Sequence, residues 1–156
     1  MKRRTVLASG LAALTAVAIP WRRVSAATTA DVTAVSLDGK PVTLKGGDID
    51  DLRASARGEV LTSDQSGYDT ARRIWNPAFD RRPALIVRCV GAADVRRAVK
   101  FAAAHGLLTA VRGGGHSLSG QSCCDGGLMI DLSLMRAVDV DPIAKTARVE
   151  GGALLG

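Results

Sequence analysis

The residues best suited to chemistry form one short glycine-rich segment. It consists of Arg112, Gly113, Gly114, Gly115, His116, Ser117, Leu118, Ser119 and Gly120. Three consecutive glycines lose much conformational entropy on folding and add nothing to a core. Their use is that the backbone can take positive φ and approach a ligand closely, with successive N–H groups converging on an anion. Because arginine adds positive charge and the two serines add hydroxyl donors, the segment predicts a site for a phosphate-bearing cofactor.

Two common phosphate motifs do not fit this segment. No Gly-Lys-Ser/Thr follows, so it is not a P-loop. The glycines lack the spacing of a dinucleotide fingerprint, and no helix is predicted directly after them. On the glycines alone, a tight surface loop with a solvated histidine stays open as the alternative.

The elements around the segment predict how it is positioned. The apolar run 84–90 predicts a buried strand, and apolar residues at helical spacing predict a helix that ends at His105-Gly106. Residues 107–111 predict a second strand that leads directly into the glycines. Such a strand–helix–strand unit most simply forms a parallel pair with a right-handed crossover.

The flanking regions are predicted in less detail. Further strands are expected at 128–132 and 146–150, with a helix beginning at Gly151-Gly152. Residues 27–44 are interpreted as a linker with one strand and a turn at 38–41. A short helix is expected from Asp48, as its N-cap, to Ala56, and a loop after a helical turn in 68–79.

Similarity extends on both sides of the glycines and identifies a family. The segment Arg112–Ser117, between two strand blocks, resembles the flavin-attachment loop of FAD-linked oxidases of the berberine-bridge-enzyme-like group, among the vanillyl-alcohol-oxidase-type flavoproteins. Trp75-Asn76, residues 127–135 and residues 149–153 are also similar, so the resemblance covers residues 66–156. It implies an α+β fold, namely part of a PCMH-type FAD-binding domain.

The resemblance implies FAD as cofactor and assigns the site residues. The loop would hold the diphosphate through its backbone amides, and His116 would bond covalently to the 8α-methyl group of the flavin. The implied cofactor-binding residues are Arg112, Gly113, Gly114, Gly115, His116, Ser117, Ser119, Gly120, Gly151 and Gly152. The implied chemistry is hydride abstraction from a carbinol or amine carbon of an unknown small molecule, with O₂ reoxidising the flavin. No residue of this chain is assigned as catalytic base.

The cysteines are not assigned to the site. Many relatives carry a second flavin link through a cysteine, but Cys123 and Cys124 follow His116 too closely to be that second attachment residue. Cys89 is expected to be a small buried residue within a strand. No Cys/His set has zinc spacing, so no metal site is expected.

The N-terminus indicates export. Residues 1–26 combine Lys2-Arg3-Arg4, an apolar run and small residues at 24–26, which resembles a twin-arginine signal peptide for periplasmic or extracellular export. An ordinary secretory signal and an uncleaved anchor are the alternatives. This leader holds five of the 21 basic residues and no acidic residue, so 16 basic residues nearly balance 15 acidic ones elsewhere. That balance argues against nucleic-acid binding, and membrane contact is expected only during export.

Three regions are therefore expected: the leader 1–26, a linker with a short helix at 27–65, and an incomplete FAD-binding domain at 66–156. Because the family's members have several hundred residues, the isolated chain is expected to be a truncated product or one part of a split gene. It would bind FAD weakly or not at all, and a C-terminal part of the same protein would be its partner. An exported nucleotide-binding or phosphate-binding module and a non-functional remnant stay open as alternatives.

Overall fold

Eight strands and three helices follow one another along the described chain from Val32 to Val149. A computed structural model describes residues 29–155, so the predicted leader 1–26 lies outside the described residues. The elements are β1 Val32–Val35, β2 Pro41–Leu44, α1 Gly46–Ser55, β3 Glu59–Leu61, α2 Tyr68–Arg72, β4 Leu85–Arg88, α3 Ala92–Ala104, β5 Thr109–Arg112, β6 Leu128–Asp131, β7 Val138–Asp141 and β8 Thr146–Val149.

A four-stranded sheet has the order β3-β4-β6-β5. Strands β4, β6 and β5 are parallel, and β3 is an antiparallel edge strand. The predicted strands at 84–90, 107–111 and 128–132 are confirmed within about two residues, but the predicted direct pairing of the first two is wrong because β6 lies between them. The reason is burial. The first three residues of β4 and of β6 are apolar and buried, whereas β5 exposes Thr109 and Val111 and therefore suits an edge.

Two hairpins lie outside this sheet. β1 pairs with β2, so the region predicted as a linker with one strand contains two. The predicted turn between them is confirmed, with Gly39 at φ +81°. β7 pairs with β8, which is the predicted strand at 146–150. β7 was not predicted, and neither was β3, whose three residues are too few to show a periodic pattern.

Two helix predictions need correction. Helix α1 begins at Gly46 rather than Asp48, because the Asp31 carboxylate accepts the Gly46 N–H (2.9 Å) and caps the helix from β1's side. The helix expected at Gly151 does not form within residues 151–155. Instead, Gly152 donates to the Met135 carbonyl (2.9 Å) and packs against the Leu132 carbonyl. The predicted helix before His105-Gly106 is confirmed as α3.

The core lies on both faces of the central sheet because side chains alternate along its strands. Leu85 and Val87 of β4 pack with α1 and α3, whereas Ile86 packs with Tyr68 and Cys123 on the opposite face. The fold is therefore a mixture of helices and strands around one enclosed sheet. Within residues 29–155, none of the helices combines the length and apolar character needed to cross a bilayer.

Candidate cofactor-binding site

The glycine-rich segment leaves the carboxyl end of β5. The three parallel strands end in register, which places Arg88, Asp131 and Arg112 in one row across β4, β6 and β5. Ligands of parallel sheets bind beyond the carboxyl ends of the strands. The predicted site residues therefore lie at the edge of the sheet where a ligand is expected.

Asp131 holds the base of the loop. Its carboxylate is fully buried and lies 3.2 Å from Nη1 of Arg112 and 3.5 Å from Nε of Arg88. It also accepts the N–H and the hydroxyl of Ser133, each at 3.0 Å. A buried carboxylate needs this compensation. Arg112 is thus oriented beneath the loop, with its Nε 3.2 Å from the position a Cβ at Gly115 would take.

A basic cavity of about 340 Å³ adjoins this row. Its polar lining comes from Thr70, Arg88, Arg112, Ser133 and Arg136, and no acidic residue of the described chain lines it. The Arg136 Nε donates to the Ser133 carbonyl at 2.6 Å. The end of the sheet therefore carries a positive potential, which favours an anionic ligand.

In the loop backbone the N–H groups are unpaired within the described chain, whereas several carbonyl oxygens already accept hydrogen bonds. No N–H of residues 113–119 donates to an acceptor within residues 29–155, whereas the carbonyls of Gly115, Ser117, Leu118 and Gly120 all accept hydrogen bonds. Gly115 and Gly120 have φ of +77° and +72°, which few residues other than glycine adopt. A row of unpaired N–H groups is the arrangement that binds phosphates, so these residues fit the diphosphate of FAD.

Gly151 and Gly152 lie close to the glycine-rich loop. A Cβ at Gly113 would lie only 2.4 Å from the Gly151 carbonyl oxygen, so the two backbones touch. Gly151 is exposed, whereas Gly152 is buried against the turn after β6, where a Cβ would lie 1.9 Å from the Leu132 carbonyl oxygen. Positions 113 and 152 therefore need glycine for close packing against backbone atoms.

The side chains of the loop face outward. His116 and Ser119 are exposed, and Ser117 is half-buried, with its hydroxyl accepting the Gln121 N–H at 3.0 Å. The imidazole lies beside the indole of Trp75, with ring centroids 6.3 Å apart and an angle of 23° between the planes. The sequence leaves two interpretations of Trp75 and Asn76 open, namely a packing residue with a loop cap, or contact with the cofactor.

The cysteines lie away from the exposed loop surface. Cys89, Cys123 and Cys124 are all buried, and none forms a disulfide with another described residue. Burial raises the pKa of Cys89 to about 12 and that of Cys124 to about 11. They are therefore thiols at neutral pH, poor nucleophiles for any flavin link. Within residues 29–155, no group of three or more His, Cys, Asp or Glu side chains could hold a metal ion.

Comparison with known proteins shows similarity to FAD-binding proteins. Residues 83–156 match the family described as FAD binding domain. Over 102 residues the chain is 41% identical to (R)-6-hydroxynicotine oxidase from Paenarthrobacter nicotinovorans, an alignment that covers 65% of this chain and 22% of that protein.

Solved structures give the same result. A berberine-bridge-enzyme-like protein from Physcomitrella patens superposes with a TM-score of 0.59 and 30% identity, covering 65% of this chain and 22% of that one. Glucooligosaccharide oxidase from Acremonium strictum, described with a 6-S-cysteinyl, 8α-N1-histidyl FAD, gives 0.60 and 31%, covering 68% and 22%.

Residues 83–156 thus match an FAD-binding domain, and the chain is similar to FAD-linked oxidases. The predicted resemblance to the berberine-bridge-enzyme-like group and the prediction of FAD as cofactor are confirmed. The chain spans about a fifth of the length of these relatives, since each alignment covers 22% of the other protein.

Proposed function

We propose that this chain provides the FAD-binding part of an FAD-dependent oxidoreductase of the oxidase type. The observation that carries the proposal is the unpaired row of N–H groups at residues 113–119, next to the exposed imidazole of His116. When bound, the cofactor would supply hydride abstraction from a carbinol or amine carbon of the substrate, with O₂ as the electron acceptor and H₂O₂ as its product. The substrate class is an alcohol or an amine.

Each residue of the segment has a defined part in holding the cofactor. The amides of Gly113, Gly114 and Gly115 bind the diphosphate, assisted by the hydroxyls of Ser117 and Ser119. Arg112, held by Asp131, adds positive potential from beneath, and Gly120 closes the loop in a left-handed conformation. Gly151 and Gly152 bring the segment after β8 alongside.

His116 is the proposed covalent attachment residue. A nitrogen of the His116 imidazole would bond to the 8α carbon of the flavin in place of one hydrogen of that methyl group. This exchange would release two protons and two electrons, which O₂ would accept as H₂O₂. The exposure of His116 beside the unpaired amides supports this role.

Mass spectrometry of the tryptic peptide 113–136 tests the assignment. The purified chain is incubated in air with a large excess of FAD, because the isolated chain is expected to bind the cofactor weakly. The adduct is expected on that peptide alone. Its formation should be abolished in His116→Ala and retained in His105→Ala, the matched control at the chain's other histidine. An adduct that persists in His116→Ala would overturn the assignment. Binding of FAD and ADP alike without any adduct would instead favour a nucleotide-binding module.

The leader supports a proposal about localisation. Arg3-Arg4 before an apolar run is typical of the twin-arginine route, which exports folded proteins loaded with cofactor. The variant Arg3→Lys/Arg4→Lys should accumulate in the cytoplasm, and a chain with Lys2→Arg is the control. Undiminished export of the double variant would exclude this route.

A further inference from the structure

Trp75 is exposed but is tied to the glycine-rich loop. Its side chain exposes 64% of its surface, although a large aromatic residue gains most from burial. Its backbone N–H donates to the Gly115 carbonyl at 3.0 Å. Trp75 therefore contacts the residue directly before His116, and its indole lies beside the imidazole itself.

The two rings form an offset stack. Their centroids are 6.3 Å apart and their planes differ by 23°, within the range in which aromatic pairs attract. In the structure, this stack is an aromatic contact of an imidazole that is otherwise exposed.

The neighbouring residue clamps the other side of the histidine. Nδ2 of Asn76 donates to the Leu118 carbonyl at 3.1 Å, while its Oδ1 accepts the Ala78 N–H at 3.1 Å. Contacts from Trp75-Asn76 therefore bracket His116 at positions 115 and 118. The amides between these positions keep their donors free.

The segment that carries this clamp is itself fixed at both ends. Before it, the buried guanidinium of Arg72 pairs with Asp69 and Asp80. After it, Arg81 donates to the Gly120 and Cys123 carbonyls, each at 2.8 Å. A side chain carried on a fixed segment can hold a reacting group in place, whereas one on a mobile loop cannot.

We infer that Trp75 is a positioning residue that orients the His116 imidazole for its attachment to the flavin. The inference rests on the proposed function, because attachment at His116 is the step that it serves. An oriented imidazole approaches the 8α carbon without first losing rotamer freedom. Removing the indole therefore slows the bond-forming step.

Proton NMR of the ligand-free chain measures the orientation directly. The chain has two histidines, so each spectrum contains its own reference, with His105 packed against Phe101 rather than Trp75. In Trp75→Ala, the ring protons of His116 should shift while those of His105 stay in place. Phe101→Leu should give the reverse pattern. Unmoved His116 signals in Trp75→Ala would overturn the inference whether or not a flavin adduct forms.

The rate of adduct formation on peptide 113–136 provides the second readout. An aromatic stack of this kind corresponds to about a two- to tenfold change in rate. Trp75→Ala should therefore slow attachment about two- to tenfold, with little change in the FAD concentration needed for half-saturation. Trp75→Phe, which keeps an aromatic ring, should restore most of the rate.

The two proposals fail in different ways. Attachment at the wild-type rate in Trp75→Ala would overturn the inference and leave the role of His116 intact. A wild-type chain that binds FAD but forms no adduct would overturn the covalent link, and the histidine spectra would then decide the part played by Trp75. In one outcome, Trp75→Ala alone loses its folded NMR signals while Trp75→Phe attaches FAD at the normal rate. In that case a Trp75→Leu variant would decide between a structural and a positioning role of Trp75. If this folded variant attached FAD as fast as wild type, the inference would be overturned.

Discussion

At the scale of single residues, the glycines of the loop serve different needs. Gly115 and Gly120 adopt a left-handed φ, whereas Gly113 is needed because a neighbouring backbone lies against it. A side chain at position 113 would meet the Gly151 carbonyl oxygen, which cannot move aside as a flexible side chain can. The first glycine thus joins the loop to the turn after β8.

Gly113→Ala should destabilise the chain by about 1–3 kcal/mol, because the added methyl overpacks a backbone contact. It should also weaken FAD binding by separating the loop from Gly151. Gly47→Ala is the matched control, since a Cβ at this position in α1 meets nothing within 4 Å. That variant should be neutral or up to about 1 kcal/mol more stable. Equal urea midpoints for the two variants would show that the close approach at Gly113 does not matter.

At the scale of the elements, the ends of three parallel strands are joined by charge. Asp131 of β6 lies between Arg88 of β4 and Arg112 of β5, and it is fully buried. Removing one partner from a buried ion pair leaves the other charges uncompensated. The position of the glycine-rich loop therefore depends on the Asp131 carboxylate.

Asp131→Asn should cost about 2–4 kcal/mol, somewhat below the range for a completely buried pair because both arginines are partly solvated. Glu59→Gln is the control, since Glu59 pairs with the same Arg88 but is 61% exposed. Its cost should stay below about 1 kcal/mol. Chemical denaturation of the two variants makes the comparison. If Glu59→Gln lowered the free energy of unfolding as much as Asp131→Asn, the role assigned to the row of Arg88, Asp131 and Arg112 would be contradicted.

Asp94 joins the start of α3 to the connection before β3. Its carboxylate is 1% exposed and accepts N–H groups of Arg57 (3.0 Å), Gly58 (3.2 Å) and Val90 (3.1 Å). Burial opposes its ionisation, but the hydrogen bonds from those backbone groups outweigh burial, so the pKa of Asp94 lies below its ordinary value. The folded state therefore binds a proton at this carboxylate less readily than the unfolded state does.

Stability should depend on pH through Asp94. The contribution of a carboxylate with a lowered pKa is complete above the unfolded value of about 3.9, and it is lost as the pH falls through the folded value. Asp94→Asn should cost about 1–3 kcal/mol at pH 7 and show a smaller loss of stability between about pH 5 and pH 3. Urea unfolding across that range measures both effects, with the exposed Asp51→Asn as control. An unchanged pH dependence in Asp94→Asn would contradict this account.

The elements that carry the site could be predicted from the sequence because their signals are local. A continuous apolar run indicates β4, a helix with apolar spacing that ends at His105-Gly106 indicates α3, and a second apolar run before three glycines indicates β5, all without long-range information. The order of the strands could not be predicted in the same way, since it depends on which strand is enclosed on both faces. β3 was missed because three residues show no period.

At the scale of the whole molecule, the glycine loop and FAD could be predicted, whereas the surroundings of the loop could not. The partners of the loop come from distant parts of the chain: Trp75 precedes His116 by 41 positions, and Asp131 follows Arg112 by 19. Such contacts are created by the sheet and leave no periodic signal. The chain spans 22% of each relative, so activity on a substrate is proposed for the complete oxidoreductase.

The central claim is that the amides of the glycine-rich loop hold the diphosphate of FAD. Titration of the ¹⁵N-labelled chain, with FAD, ADP and riboflavin in parallel, tests this claim most directly by NMR. We expect the amide signals of Gly113, Gly114 and Gly115 to shift with FAD and with ADP, and to stay in place with riboflavin, which lacks the diphosphate. Signals from these three glycines that remain unmoved while FAD shifts others elsewhere in the chain would contradict the claim.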